Sequence, residues 1–231
     1  MIGRNKIYET IILTNYKRPK NMETIIYNLI ILDESGSMIT IKHQAISGFN
    51  ETVQTIQLAE EKHPEQKHRV SLVTFNGDAT KTVYDKIPAK EVVELNSTTY
   101  CPSSLTPLYD AMGISLTSLK QFVKPNDKVL VTIITDGYEN HSQEYTEQAV
   151  KSLVDELKAK GWVFTYIGAN QDVKKVAATI SVTNVMHFEA SEKGTKTMFA
   201  KENKARKRFF DRISLGKIFD DSFFDDDEKE V

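Results

Sequence analysis

Cysteine is nearly missing from this chain: Cys101 is alone among 231 residues, so no internal disulfide can form. Long apolar runs are missing too. No stretch approaches the roughly 20 apolar residues of a membrane span. The first twenty residues, with Arg4, Lys6, Glu9, Lys17, Arg18 and Lys20, lack the continuous apolar stretch of a secretory signal. Neither charge dominates: 30 basic against 32 acidic side chains leave a formal net charge of −2, which gives no global reason to expect nucleic acid or a membrane as partner. His43, His63, His68, His141 and His187 have no metal-ligand spacing. Also absent are a Gly-x-Ser-x-Gly nucleophile elbow at the strand end, a Gly-rich phosphate loop closing in Lys-Ser/Thr, and a Gly-x-Gly-x-x-Gly fingerprint. What is left is a protein of a reducing cytoplasm with one main domain, its 40% apolar and 27% charged residues being ordinary for a globular chain.

Against these absences one segment stands out. The almost unbroken apolar run Ile25-Ile26-Tyr27-Asn28-Leu29-Ile30-Ile31-Leu32 ends in Asp33-Glu34-Ser35-Gly36-Ser37-Met38. A carboxylate and two hydroxyls delivered by one tight turn at the carboxyl end of a buried strand form a cluster of hard oxygens suited to Mg²⁺.

The remainder alternates between two periods. Ile46, Phe49, Val53 and Ile56 form a helical stripe, and Val70 to Phe75 is a strand ending at Asn76-Gly77-Asp78, from which Thr80 to Ile87 returns as a hairpin arm. A polar stretch, Asn96 to Ser104, leads to a helix from about Pro107 to Phe122 that Lys124-Pro125-Asn126-Asp127 breaks. Val129 to Ile134 is a second fully apolar strand, ending in Thr135-Asp136-Gly137. Val150, Leu153, Val154 and Leu157 mark a helix, Trp162 to Ile167 a strand, Gly168-Ala169-Asn170 the turn into a helix through about Ala178, and Val182 to Phe188 a last strand. Runs apolar on both faces belong to central parallel strands covered by helices. The order predicts an α/β domain over residues 23–190, a doubly wound, mostly parallel sheet with one antiparallel edge strand. Asp33 and Asp136 then emerge on one edge of the sheet, and Thr106 falls at the N-cap of the helix that Pro107 opens.

Asp33-x-Ser35-x-Ser37, Thr106 in Thr-Pro-Leu-Tyr-Asp and Asp136 in Thr-Asp-Gly together resemble the metal-ion-dependent adhesion site of von Willebrand factor A-type domains, over about residues 24–190. Thr-Asp-Gly-Tyr-Glu-Asn at 135–140 and Tyr166-Ile167-Gly168-Ala169-Asn170 further resemble an intracellular bacterial branch of that family without an assigned biochemical role. The resemblance implies that Ser35 and Ser37 ligate a metal through their hydroxyls, that Thr106 binds it directly or through water, and that Asp33 and Asp136 act mostly through water. It implies Mg²⁺, with Mn²⁺ or Ca²⁺ able to substitute, and a partner protein whose Asp or Glu completes the coordination. Loops 76–80, 96–105, 137–145 and 168–172 would set specificity. One departure is the loop Tyr100-Cys101-Pro102-Ser103-Ser104-Leu105, which has no glycine where such sequences usually carry one.

The expected function is a non-catalytic, metal-dependent protein-binding module. Two alternatives stand beside it: a Mg²⁺-dependent phosphotransferase or hydrolase using Asp33 as nucleophile, and a scaffold whose site is vestigial. The enzyme needs a second acid two residues after the nucleophile, where this chain has Ser35. Asp110 and Glu139 read as capping or supporting groups, Glu34 as pointing to solvent or bordering the partner surface, and Cys101 as incidental. Residues 1–22 form an N-terminal extension, with Met22 an alternative start. Residues 191–231 hold a basic helix around Lys201 to Lys217, packed on the domain, and an acidic tail from Asp220 to Glu228 read as solvated or frayed. An acid of that tail, from the same or a neighbouring molecule, could occupy the open metal position and give self-association.

Overall fold

Thr24–Asp33 forms a strand, β1, buried along almost its whole length because a parallel neighbour lies on each side and helices cover both faces. The computed structural model describes residues 23–169, 172–217 and 222–225. After β1 a short 3-10 turn, Gly36–Ile41, runs into α1 (Lys42–Lys62). There follow β2 (Gln66–Phe75), β3 (Thr80–Pro88), a 3-10 turn at Ala89–Glu91, α2 (Leu108–Lys120), β4 (Lys128–Thr135), α3 (Glu147–Ala159), β5 (Val163–Gly168), α4 (Val173–Thr179), β6 (Asn184–His187) and α5 (Glu192–Ser214).

The sheet order is β3-β2-β1-β4-β5-β6, all parallel except the β2–β3 edge pair. From β1 the chain moves outward to β2 and β3, then crosses back through α2 to β4 on the other side of β1. The direction of winding therefore reverses between β1 and β4, and in open α/β sheets the crevice beyond the carboxyl ends at such a reversal is where ligands collect. Leu32 is in register with Ile134, so Asp33 and Thr135 reach that crevice together.

Period-two alternation sorts the strand residues onto two cores. Ile26, Ile30 and Leu32 of β1 pack with Met38, Phe49, Val53 and Ile56 from the α1 side and with Phe199, Phe209 and Phe210 of α5. Leu29 and Ile31 face the opposite layer, with Leu108, Met112 and Leu116 of α2 and Val150, Val154 and Leu157 of α3. Thr146, Asp172 and Ser191 cap α3, α4 and α5 by accepting from the backbone N–H three residues on.

Several boundaries differ from those the sequence predicts. β2 begins at Gln66 rather than Val70, because Gln66 and His68 point into a buried polar layer that an apolar-run criterion passes over. α2 begins at Leu108 with Pro107 as its N-cap, so Thr106 lies one residue outside the helix and does not cap it. β6 is shorter than Val182 to Phe188, and α5 is longer than Lys201 to Lys217.

The basic helix is built into the domain. Met198, Phe199, Ala205, Phe209, Phe210 and Ile213 share one cluster with β1 and α1, so no boundary in packing falls at residue 190. Within the tail, Phe223 and Phe224 are buried rather than solvated. Phe223 N–H donates to Asn184 Oδ1 at 2.9 Å at the start of β6, and the Asp225 carboxylate lies 3.3 Å from Arg208. Those anchors sit at the amino ends of the strands, opposite the Asp33 edge. The N-terminal extension, Asn170, Asp220, Asp221 and the acidic residues from Asp226 onward lie outside the described residues.

Candidate metal centre

Asp33 ends β1 without exposed surface, and both of its carboxylate oxygens are occupied: Oδ1 accepts from Ser35 N–H at 2.7 Å and Oδ2 from the Thr135 hydroxyl at 2.6 Å. The first bond closes the turn that brings the two serine hydroxyls back toward the strand end. Ser35 Oγ and Ser37 Oγ lie 3.2 Å apart, and Ser37 Oγ donates to Asp136 Oδ1. Ser35, Thr106 and Asp136 are buried, whereas Ser37 reaches solvent.

Two carboxylates buried at one strand-end cluster are costly as anions. Burial pushes the Asp33 carboxyl up to about 6, with the Asp136 charge adding to the rise and the hydrogen bonds from Thr135 and Ser35 opposing it. Burial likewise raises Asp136, against the hydrogen bond from Ser37. A cation between them would relieve both.

Thr106 joins the cluster through Gly137. A methyl carbon added at Gly137 would stand 3.1 Å from Thr106 Oγ1, 3.5 Å from Ser37 Oγ and 3.8 Å from Asp33 Oδ2. Three oxygens from two chain segments therefore border a space that a side chain at 137, on a third, would enter. In an octahedral Mg²⁺ shell, neighbouring oxygens are about 3 Å apart, close to the Ser35–Ser37 spacing. The donor set, two carboxylates and three hydroxyls, is all hard oxygen and fits Mg²⁺ chemistry. Among the described residues no group of three or more His, Cys, Asp and Glu comes together to hold a metal, so a metal held at this cluster would need the hydroxyls as well as the two carboxylates.

The loops carrying these oxygens are stitched to one another. Thr106 N–H donates to Asn140 Oδ1 at 2.8 Å and Asn140 N–H returns to the Thr106 carbonyl at 3.1 Å. Glu139 accepts from the backbone N–H groups of Tyr109, His141 and Ser142, and Asp110 from those of Gln143, Glu144 and Tyr145. The two acids thus satisfy helix-start and loop donors without reaching the metal space, in the supporting role expected of them. His141 contributes its backbone to this loop. Glu34 departs from expectation: it is only 9% exposed, and its carboxylate accepts from Cys101 N–H at 2.5 Å, tying the 100–105 loop to the Asp33 turn. Further ties are Gly36 N–H to the Ser104 carbonyl, Ser103 N–H to the Glu34 carbonyl, and the Tyr100 hydroxyl to the Asp33 carbonyl at 2.5 Å. The loop without glycine keeps its course by holding Ser104 at φ +67°, a left-handed conformation that glycine adopts at less cost. Cys101 is exposed, its thiol 3.6 Å from the carbonyls of Ser97 and Thr98.

Sequence reasoning assigned no role to Thr135, Asn140 or Tyr100. Thr135 had a signal in its place beside Asp136 at a strand end; Asn140 and Tyr100 act through long-range contacts with no local pattern.

A sequence-family profile described as von Willebrand factor type A domain matches residues 29–206. No curated protein sequence matches the chain. Among solved structures, the PilB minor pilin from Streptococcus sanguinis aligns with a TM-score of 0.54 at 14% identity, over 83% of this chain and 63% of that one. The SpRpn10 VWA domain aligns with a TM-score of 0.51 at 12% identity, over 78% of this chain and 95% of that one. The pilus adhesin SpaC from Lactobacillus rhamnosus GG, in its open conformation, gives a TM-score of 0.57 at 14% identity, over 83% of this chain and 31% of that one. The chain thus spans less than two thirds of PilB and about a third of SpaC, and these likenesses concern the fold.

Proposed function

The chain belongs to the von Willebrand factor type A family, whose domains often serve as protein-interaction modules, and on that premise we propose that it is a divalent-cation-dependent, non-catalytic binding module. Ser35, Ser37 and Thr106 would hold Mg²⁺ through their hydroxyls, with Asp33 and Asp136 supplying the negative charge around it. When bound, the ion offers a Lewis-acidic position to a carboxylate of a partner protein.

One observation carries the proposal. The side-chain oxygens of Ser37, Thr106 and Asp33 lie within 4 Å of the point that a β-carbon at Gly137 would occupy. The protein's own residues orient these oxygens: Thr135 and the Ser35 amide fix the Asp33 carboxylate, and Asn140 fixes Thr106. Asp33 has no exposed surface and each of its oxygens is oriented by a hydrogen bond, which favours a charge-supplying role over that of a nucleophile attacking a substrate. We place the module in a reducing cytoplasm because its single cysteine leaves it without the internal disulfides common in oxidising compartments. Among the described residues no helix is long and apolar enough to cross a membrane.

The test is titration of Mn²⁺ and Mg²⁺ into chelator-treated protein, beside Ser35→Ala/Ser37→Ala and Gly137→Ala variants whose folding is checked by circular dichroism. Saturable binding to the wild type that both variants weaken is the expected result. Equal binding in all three would remove the site from consideration.

A further inference from the structure

Thr106 reaches the oxygen cluster at the end of the Tyr100–Leu105 loop, the loop without glycine, and that loop threads between two turns. On one side is the turn that follows β1. The Tyr100 hydroxyl donates to the Asp33 carbonyl and Cys101 N–H to the Glu34 carboxylate, both at 2.5 Å. Ser103 N–H donates to the Glu34 carbonyl at 2.9 Å and Gly36 N–H to the Ser104 carbonyl at 3.1 Å. On the other side is the turn between β2 and β3. Asn76 Nδ2 donates to Ser103 Oγ at 3.1 Å, and Ser104 Oγ donates to Asp78 Oδ1 at 3.4 Å. A β-carbon at Gly77 would stand 2.5 Å from Ser104 Oγ, 2.9 Å from Leu105 N and 3.0 Å from Leu105 Cβ. Those separations fall inside the about 3.5–4.0 Å at which carbon atoms pack. The loop has no glycine of its own, and the room for its passage comes from the one facing it.

The facing turn has little freedom to yield. Asn76 Oδ1 accepts from Asp78 N–H at 3.0 Å and from Ala79 N–H at 3.1 Å, and Asn76 N–H donates to the Ala79 carbonyl at 3.1 Å. Phe75, just before it, is buried, and its carbonyl accepts from Glu34 N–H at 2.8 Å. Asp33 and Phe75 are register partners, so both turns grow from the ends of adjacent strands. Asp33, Ser35 and Ser37 arrive together on one of them, but Thr106 comes from a separate segment and has to be brought to them. Mg²⁺ demands near-ideal octahedral geometry with oxygens at about 2.0–2.1 Å, so a hydroxyl misplaced by a fraction of an ångström is a poor ligand. Resting on the cation-dependent reading above, we propose that Glu34 and Gly77 are positioning residues for Thr106. Glu34 ties the loop to the β1 turn through its buried carboxylate, and Gly77 admits the loop from the other side. Together they set where the Thr106 hydroxyl stands relative to the oxygens of Ser37 and Asp33. Neither acts as a ligand.

The experiment follows Mn²⁺ binding by electron paramagnetic resonance in the wild type, Glu34→Ala, Gly77→Ala, Thr106→Ala and the doubles that join each of the first two changes to Thr106→Ala. Circular dichroism checks that each is folded. Glu34→Ala and Gly77→Ala should each lose about 10–100-fold in affinity, the range for groups that orient metal ligands. Neither should weaken a protein that already lacks the Thr106 hydroxyl, because a positioning residue acts only through the group it places. Glu34→Gln, which keeps an acceptor for Cys101 N–H, should bind more tightly than Glu34→Ala. Amide hydrogen exchange in chelator gives a reading without metal: Glu34→Ala should speed exchange at Cys101. If Gly77→Ala does not fold, Gly77→Ala/Ser104→Gly removes the nearest contact, and the Glu34 cycle stands without it. Losses that add to that of Thr106→Ala, or Glu34→Gln as weak as Glu34→Ala, would mean that Glu34 acts through its charge, and would overturn the proposal. Wild-type affinity in both single variants overturns it while leaving the metal site in place. No Mn²⁺ binding by the wild type removes the cation-dependent reading and this inference with it.

Discussion

The Thr135 hydroxyl donates to Asp33 Oδ2 at 2.6 Å, joining the ends of two adjacent strands across 102 residues of sequence. Thr135 also accepts from Gly137 N–H at 3.1 Å, so one hydroxyl orients the carboxylate and the turn that follows β4. Thr135→Val keeps the shape and deletes both bonds. A hydrogen bond to a charged group contributes about 1.5–3 kcal/mol. Mn²⁺ affinity at pH 7 should therefore fall about tenfold or more, and the Asp33 carboxyl should rise beyond about 6. Titration at pH 6, 7 and 8 checks this: the deficit should shrink at pH 8, where the proton no longer competes. Unchanged affinity across that range would show that the hydroxyl is dispensable.

Stability of the metal-free protein should depend on pH through Asp33 in an unusual direction. Its folded value of about 6 lies above the ordinary 3.8, so between those values the folded state binds more protons than the unfolded one. The contribution is fully present below pH 3.8 and is lost as pH rises through 6, by about 3 kcal/mol in all. Urea unfolding of the wild type against Asp33→Asn, at pH 4 to 7.5 in chelator, isolates it. The wild type should lose stability relative to the variant as pH rises, and Mg²⁺ should restore the difference at pH 7.5. A parallel pair of curves would mean that Asp33 is not strained as an anion.

Ser104 carries a second cost. At φ +67° a non-glycine residue gives up about 1–2 kcal/mol, part of which glycine would lose again to the entropy of the unfolded chain. Among the described residues its hydroxyl makes one hydrogen bond, a long one of 3.4 Å to exposed Asp78. Ser104→Gly should thus stabilise the protein by roughly 0.5–1 kcal/mol, read as a higher urea midpoint at unchanged slope. Destabilisation would indicate that the Ser104 side chain holds the loop.

Much of the candidate site was legible because its two carboxylates and two serine hydroxyls sit next to strong periodic signals. Asp33 and Asp136 close the two most apolar runs in the chain, and a sheet that reverses between those runs brings their ends together. The supports were not legible. Glu34 looks like a solvent residue until the 100–105 loop folds over it, and Asn140 gains its function only from Thr106, 34 residues away. The sequence puts Pro107 one residue too deep in α2 and Thr106 at its N-cap; the first free N–H groups of the helix are instead met from outside it by Glu139 and Ser142. The polar face of α5 was equally opaque: a Lys/Arg-rich stretch gives no hint that one of its arginines is fully buried.

That arginine is Arg206. Its guanidinium lies under the sheet, bonded to Glu202 Oε1 at 2.9 and 2.5 Å, to Asn28 Oδ1 of β1 at 3.1 Å and to Thr132 Oγ1 of β4 at 2.8 Å. It thereby fastens α5 to the two strands whose carboxyl ends hold the candidate metal centre. Removing one partner of a buried pair strands the other charge, which costs about 3–5 kcal/mol, whereas replacing both with apolar residues of similar volume is often neutral or stabilising. Arg206→Met should fall in the first range. Among the described residues Glu202 Oε2 has no hydrogen-bond partner, so Arg206→Met/Glu202→Leu should recover most of the loss. A double-mutant cycle by urea unfolding measures the coupling. Additive losses would mean that Arg206 serves Asn28 and Thr132 rather than Glu202, and that the fastening of α5 rests on hydrogen bonds to the sheet alone.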